Sequence, residues 1–230
     1  MATRTLLVAT IRNRMESGPI SYLGFPATEW AVEQALWDCK EIGQQGRLQV
    51  TGVEKELEIA EIASRHSLFG SRLQREDLHS YVQWCCLKFN ASWLDFCGPL
   101  SAKNQATIQQ IFERELYLPG VHAFTFLVKA RNCKSYKNVD QGTLTQMLQR
   151  MAGSKLNVVP VLDHEYRSTS RKSLLRFFIF EFTKSGRTNE RSQKSLENQT
   201  QALWALRTNG QTRKSAHEGQ KSGDSTKAQK

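Results

Sequence analysis

The sequence predicts an α/β fold: a doubly wound three-layer sandwich whose mostly parallel sheet ends in a C-terminal antiparallel hairpin. Three observations predict it. Short apolar runs alternate with stretches of helical periodicity from Ile20 to Met151. Several of those runs stop at a glycine or an acid, as strands do when they end beside a ligand crevice. Two β-rich runs, Leu156 to Leu162 and Leu174 to Phe182, then close the series with only the polar stretch Asp163 to Ser173 between them. Right-handed crossovers turn such alternation into a parallel sheet covered by helices on both faces.

Taken in order, Leu6 to Met15 reads as a short amphipathic helix with Leu7, Ile11 and Met15 on one face, stopped by Ser17-Gly18-Pro19. Residues 1–18 form a helical extension whose role is packing. Ile20 to Leu23 is a strand ending at Gly24, Phe25-Pro26-Ala27-Thr28 is a turn, and Glu29 to Ile42 is a helix ended by Gly43 and Gly46. Leu48 to Val53 is the second strand, with Glu54 at its carboxyl end, and Lys55 to Ser64 is rich in helix formers. Leu68 to Leu73 is a third strand leading to Glu76-Asp77-Leu78, and Tyr81 to Leu87 is a short apolar helix or turn. Phe89 to Asp95 is an apolar strand stopped by Gly98-Pro99. A helix over Ser101 to Leu118 follows, ended by Pro119-Gly120, and then a strand over Val121 to Val128. Asp140 to Met151 carries Leu144, Met147, Leu148 and Met151 on one stripe before Gly153.

The domain so outlined covers residues 19–185. From Gly186 the chain loses its apolar periodicity and fills with Ser, Thr, Asn, Gln, Lys and Arg, a composition that buries too little surface to offset the entropy of ordering. Residues 186–230 therefore read as a basic disordered tail, in which Gln201 to Leu206 is an apolar island able to fold on a protein partner. The tail has no aromatics spaced for base stacking, so its contacts with nucleic acid would run through phosphates. The chain carries 32 Lys and Arg against 22 Asp and Glu, a formal +10 that favours polyanionic partners such as nucleic acid or an anionic membrane surface. Solubility alone is the plainer reading of the same excess.

No run approaches the ~20 apolar residues of a membrane span, and the N-terminal apolar segment is too short for a signal peptide. The five cysteines (Cys39, Cys85, Cys86, Cys97 and Cys133) show neither a C-x-x-C pair nor a zinc spacing, which points to reduced thiols, an intracellular setting, cytoplasmic or nuclear, and no metal. His66, His79, His122 and His164 share no motif, and Cys97 is a nucleophile candidate only by its adjacency to Asp95.

In open α/β sheets, ligands bind beyond the carboxyl ends of the strands where strand order reverses. Gly24, Glu54, Asp77 and Asp95 all fall at such ends. A glycine after the first strand lets backbone approach a ligand, an acid after the second can accept two bonds from ribose hydroxyls, and a third can accept from an exocyclic amine. The set suits a nucleoside-bearing cofactor. Each position also has a plainer role: Asp95 or Ser101 can cap the helix near Ala102, and Glu54 can be a solvated acid at a helix N-terminus.

Over residues 19–183 the order of these motifs resembles the class I, Rossmann-like, S-adenosylmethionine-dependent methyltransferases. Tyr22-Leu23-Gly24-Phe25-Pro26 stands where that family has its cofactor glycine loop, and Val50-Thr51-Gly52-Val53-Glu54 where it has a strand ending in the ribose acid. Arg75-Glu76-Asp77-Leu78 stands where it has an adenine-contacting acid, Trp93 to Pro99 where it has its fourth motif, and the final hairpin is similar as well. The resemblance implies S-adenosylmethionine as cofactor, held by Gly24, Glu54, Asp77 and Asp95, with Asp95 orienting the cofactor's amino group or the methyl acceptor. The family's E/D-x-G-x-G-x-G loop is reduced here to Gly24, with Pro26 and Thr28 in place of later glycines, and Glu29 is the candidate for its acid. The expected activity is methyl transfer to nucleic acid or a nucleic-acid-associated acceptor. The alternative is an inactive methyltransferase-like scaffold that binds nucleic acid or a protein partner through its basic surface and tail. A nicotinamide-dependent oxidoreductase needs the same glycine-rich turn and finds no hydride-transfer constellation.

Overall fold

The penultimate residues of the domain, Leu174–Lys184, run Leu-Leu-Arg-Phe-Phe-Ile-Phe-Glu-Phe-Thr-Lys, almost without polar alternation. A strand of that composition must be covered on both faces. In the computed structural model, which describes residues 2–186 apart from 16, 28, 68–69, 130–138 and 168–172, it is. Phe177 and Ile179 point into one core and Phe178, Phe180 and Phe182 into the other.

The elements follow in the order α1 (Ala2–Arg14), β1 (Ile20–Gly24), α2 (Ala31–Trp37), β2 (Leu48–Val53), α3 (Leu57–Arg65), β3 (Arg72–Gln74), α4 (Leu78–Trp84), β4 (Phe89–Asp95), α5 (Ala102–Glu113), β5 (Tyr117–Lys129), α6 (Gln141–Ala152), β6 (Leu156–Arg167) and β7 (Leu174–Lys184). One seven-stranded sheet has the order β3-β2-β1-β4-β5-β7-β6. β1 to β5 are parallel, and β7 inserts antiparallel between β5 and β6. The doubly wound sandwich and its antiparallel ending are thus as expected. Leu7 and Ile11 of α1, Trp30 and Leu36 beside and on α2, and Ala63 of α3 cover one face. Tyr81 and Val82 of α4, Ile108 and Ile111 of α5, and Leu144 and Leu148 of α6 cover the other. Residues 1–186 form one compact unit that includes α1; from residue 187 the tail, with its apolar island, lies outside the described residues.

Several boundaries depart from expectation, each for a physical reason. α2 is half the expected length because Trp30 takes a left-handed conformation at its start and the chain turns after Asp38. The third strand is only Arg72–Gln74, paired with Thr51 to Val53, and Leu68 and Phe69 lie outside the described residues. α4 starts earlier, at Leu78, because Asp77 caps it. Pro119-Gly120 does not end a helix. α5 stops at Glu113, and Pro119-Gly120 sits inside β5 where the β4/β5 register jumps from Phe89↔Tyr117 to Ala91↔Val121. A bulge is a position at which a strand tolerates proline. Gly120 is required there, since a Cβ would lie 1.8 Å from the Asn90 carbonyl oxygen. β6 runs on to Arg167 past Pro160, which an edge strand with its own register shift accommodates.

Among the described residues no helix is long and apolar enough to cross a membrane, and no group of three or more His, Cys, Asp or Glu is arranged to hold a metal ion.

Candidate functional site

Strand order reverses between β1 and β4, since β2 and β3 lie to one side and β5 to β7 to the other. At the carboxyl ends of β1, β2 and β4, a crevice of about 570 Å³ opens over this switch point. Its volume falls in the ~300–1,000 Å³ range of small-molecule sites. Phe25 and Phe96 meet edge to face at 6.2 Å in its wall, and Phe96 in turn stacks on Phe126 at 5.4 Å. Neither ring fills the space. Trp30 is buried beneath the first loop, its indole Nε1 donating to the Ala63 carbonyl at 2.8 Å.

The carboxylates are the crevice's other material. Glu54, Glu56, Glu76, Asp77 and Asp95 line it, against Lys55 and Lys103. In a chain of formal charge +10 this is a local inversion of sign. Glu54 follows β2 directly and spends one oxygen on the Glu56 amide at 3.0 Å. Asp77 has two partners: as the cap of α4 it accepts from the His79 amide at 2.8 Å, and it pairs with Lys103 Nζ at 3.1 Å. Burial pushes its carboxyl upward, but these two bonds outweigh burial and hold it below the usual carboxylate range. Asp95 does not cap α5, a role taken by Ser101, which accepts from the Asn104 amide at 3.2 Å. Asp95 instead holds the turn after β4 by accepting from Cys97 N and Cys97 Sγ, both at 3.2 Å. Burial raises its carboxyl, and the two bonds from Cys97 oppose that shift.

Gly24 has a different reason for being glycine than ligand approach. A Cβ there would lie 2.6 Å from Tyr22 Cε1 and 2.8 Å from Glu33 Oε1, so the space over its Cα belongs to the chain's own side chains. Glu29, the candidate for the loop's acid, is exposed and borders neither the crevice nor the smaller space beside it. The carboxyl near the loop is Glu33, one helical turn later. It is buried and hydrogen-bonded to the Tyr22 hydroxyl, and Tyr22 stands two residues before Gly24, the place of the acid in E/D-x-G. Burial raises the Glu33 carboxyl to about 7 against the opposing pull of local backbone N–H groups, Arg4 and Tyr22. Burial, with Glu33 and Asp95 nearby, likewise pushes the Tyr22 phenol up. Glu33 was legible in the sequence: it lies three residues from both Trp30 and Leu36, on the apolar face of its helix.

Among the described residues, four that are not glycine have positive φ, and three of them, Ala27, Trp30 and Cys97, stand in the two loops that rim the crevice. Such conformations cost roughly 1–3 kcal/mol each and collect at functional sites. Gly52 completes the first loop's seat. A Cβ there would meet Pro26 at 2.8 Å and the Trp30 ring at 2.9 Å, so the loop rests on bare β2 backbone.

No protein-family model matches the chain, and no curated protein matches it in sequence. Solved structures do match its fold. The plantazolicin methyltransferase BamL, crystallised with a triazolic desmethylPZN analog and SAH, aligns with a TM-score of 0.53 at 12% identity over 78% of this chain and 83% of its own. The N-methyltransferase NodS from Bradyrhizobium japonicum aligns with 0.51 at 12% identity over 78% and 94%. The [4+2]-cyclase SpnF aligns with 0.52 at 12% identity over 77% and 80%. At these identities the likeness establishes fold, and the presence of a cyclase among the matches shows that fold leaves the reaction open.

Proposed function

We propose that this chain, which has the fold of the class I S-adenosylmethionine-dependent methyltransferases, binds S-adenosylmethionine in the β1–β4 crevice and transfers its methyl group to nucleic acid or a nucleic-acid-associated acceptor. One observation carries the cofactor reading: an open crevice at the switch point, lined by five carboxylates in a strongly basic chain. Such a lining favours a cationic ligand with hydroxyl and amine donors. When bound, S-adenosylmethionine supplies an activated methyl group on a sulfonium. The protein's part is to hold and orient. Glu54 has an oxygen left for ribose hydroxyls, Asp77 and its neighbours supply acceptors for an amine, and Phe25 and Phe96 supply apolar faces. Asp95, at the end of the central strand, orients the reacting end, so that transfer is helped chiefly by proximity.

The acceptor class rests on charge. The connections 130–138 and 168–172 contain Arg131, Lys134, Lys137, Arg171 and Lys172 and no acid. A specific observation also favours a second reading, an inactive scaffold that binds nucleic acid or a protein through its basic surface and tail: the first loop has one glycine, and Tyr22 and Glu33 already occupy the space above it.

Isothermal titration of the full-length protein with S-adenosylmethionine and S-adenosylhomocysteine separates the two. Binding in the micromolar range is expected, with Glu54→Ala and Asp95→Ala each weakening it about 10- to 100-fold, the worth of hydrogen bonds to charged groups. No heat at millimolar ligand sinks the enzyme reading. Oligonucleotide binding that falls steeply with salt and survives both substitutions, with no methyl transfer, establishes the scaffold.

A further inference from the structure

Beside the crevice lies a smaller chamber of about 210 Å³, and Phe25, Ala27 and Asp95 border both spaces. The far side of the chamber is closed by Arg4 from α1, Tyr22 from β1, Val32 and Glu33 from α2, and Trp93 from β4. Phe25 and Trp93 give it aromatic faces, and Trp93 is held by an indole bond to Thr125 Oγ1 at 2.8 Å. Its acceptors are the carboxyls of Glu33 and Asp95. The Glu33 carboxyl takes bonds from the Val32 and Glu33 amides and the Tyr22 hydroxyl. Two carboxylate oxygens offer about four lone-pair sites, so one remains for a donor in the chamber.

We propose that this chamber holds the methyl acceptor, an uncharged amino group on a flat heteroaromatic base such as a nucleobase, and that Glu33 takes the acceptor's proton. The proposal rests on the cofactor reading above. The acceptor nitrogen's lone pair forms the new bond to the methyl carbon, and the carbon–sulfur bond breaks with its electron pair staying on sulfur. The N–H proton passes to a Glu33 oxygen. The products are a neutral thioether, a neutral methylated amine and a protonated Glu33, so the sulfonium and carboxylate charges cancel. Geometry comes first here, but the titration is suited to it. Burial, opposed by the Glu33 and Val32 amides of α2, Arg4 of α1 and Tyr22 of β1, holds Glu33 at about 7, where a base is most effective at neutral pH, and Asp95 of β4 stands on the shared wall.

The test uses the full-length protein with methyl-labelled S-adenosylmethionine and three probe acceptors: 9-methyladenine, 1-methylcytosine and short mixed-sequence single-stranded oligonucleotides. Wild type is expected to methylate at least one probe with a rate that rises with pH and levels above about 7. Glu33→Gln should lower kcat by at least about 100-fold and flatten that profile, while S-adenosylhomocysteine affinity stays within about threefold. Ala31→Phe, which fills the chamber from its wall, should lose transfer and keep the cofactor product. The proposal is overturned if Glu33→Gln keeps kcat and its pH profile, or if Ala31→Phe transfers like wild type. It is overturned equally if Glu33→Gln loses S-adenosylhomocysteine along with turnover, which would make Glu33 a cofactor ligand. Wild type that binds the product yet methylates no probe overturns the acceptor class, whereas wild type that binds no product at all overturns the cofactor reading itself.

Discussion

Two concavities open at opposite ends of the central strands, and they are made differently. The crevice at the carboxyl ends is rimmed by left-handed backbone at Ala27, Trp30 and Cys97, and its Asp95, with Glu33 just beyond, is raised by burial. The cavity at the amino ends, about 380 Å³, lies among Lys88, Glu115, Tyr117, Lys155, Leu156 and Lys184. There the charges lie in solvent and have found each other: Glu115 bridges Lys88 at 3.9 Å and Lys155 at 2.5 Å, with all three side chains about half exposed or more. The buried polar groups behind Tyr117 and Leu118 of its wall are settled as well. Ser92 Oγ lies 3.2 Å from Tyr117 Oη and 3.0 Å from His122 Nδ1, and His122 Nε2 lies 3.0 Å from the Leu118 carbonyl. Space alone therefore does not mark a site. Left-handed backbone does not either, since Glu115 at the amino-end cavity shares it; unspent acceptors and carboxyls raised by burial do, and these gather at the end where strand order reverses.

The sharpest way to break this contrast is to titrate the two buried groups. Glu33 has a folded value of about 7 against 4.5 for the free side chain, so the folded state holds its proton more tightly. Its stabilising contribution is present below pH 4.5 and is lost as pH rises through 7. Glu33→Gln, whose amide can still accept from Tyr22, should accordingly stabilise the protein by about 3 kcal/mol at pH 8, read by urea unfolding. A destabilised variant would mean that Glu33 is a structural cap and not a retained functional acid.

His122 should show the opposite sign with a smaller effect. Burial lowers it to about 3 from 6.5, so the unfolded chain binds the proton first and stability falls as pH drops below 6.5. The loss between pH 7 and pH 5 should be about 2 kcal/mol, and it should vanish in His122→Asn, whatever that variant costs at neutral pH. Because Glu33 gains about as much stability over the same window, calorimetry is done in the Glu33→Gln background, and a Glu33→Gln protein that is flat between pH 7 and 5 refutes it.

Asp77→Ala should cost about 1 kcal/mol, the worth of an N-cap, and this separates its capping role from its place in the crevice. If it weakens S-adenosylmethionine binding more than it lowers stability, the crevice role is the larger. The smallest effect is expected at the amino-end cavity. Lys155→Ala should change stability by about 0.5 kcal/mol or less and leave methyl transfer unchanged, because its ion pair is solvent-exposed.

Much of the fold was legible because local chemistry and tertiary role agree. Ser101 and Asp140 stand before helical stripes and do cap α5 and α6. Glu54, Asp77 and Asp95 follow strands and do reach one crevice. The misreadings fall where a long-range contact overrides a local signal. Pro119-Gly120 reads as a helix stop until Asn90 of the neighbouring strand explains it as a bulge. Glu29 reads as the loop's acid until the left-handed turn at Trp30 leaves it in solvent and brings Glu33 inward instead.

By itself the sequence determined the alternation of elements, the two-sided burial of the sheet and the acids at strand ends, because periodicity and composition are properties of short segments. Only the tertiary structure decided what occupies the space above Gly24, that the buried Glu33 carboxyl faces it, and that an open crevice and a side chamber meet at Asp95. Those depend on groups distant in the chain, Arg4, Tyr22, Glu33 and Trp93, arriving at one point, and no local spacing encodes their meeting.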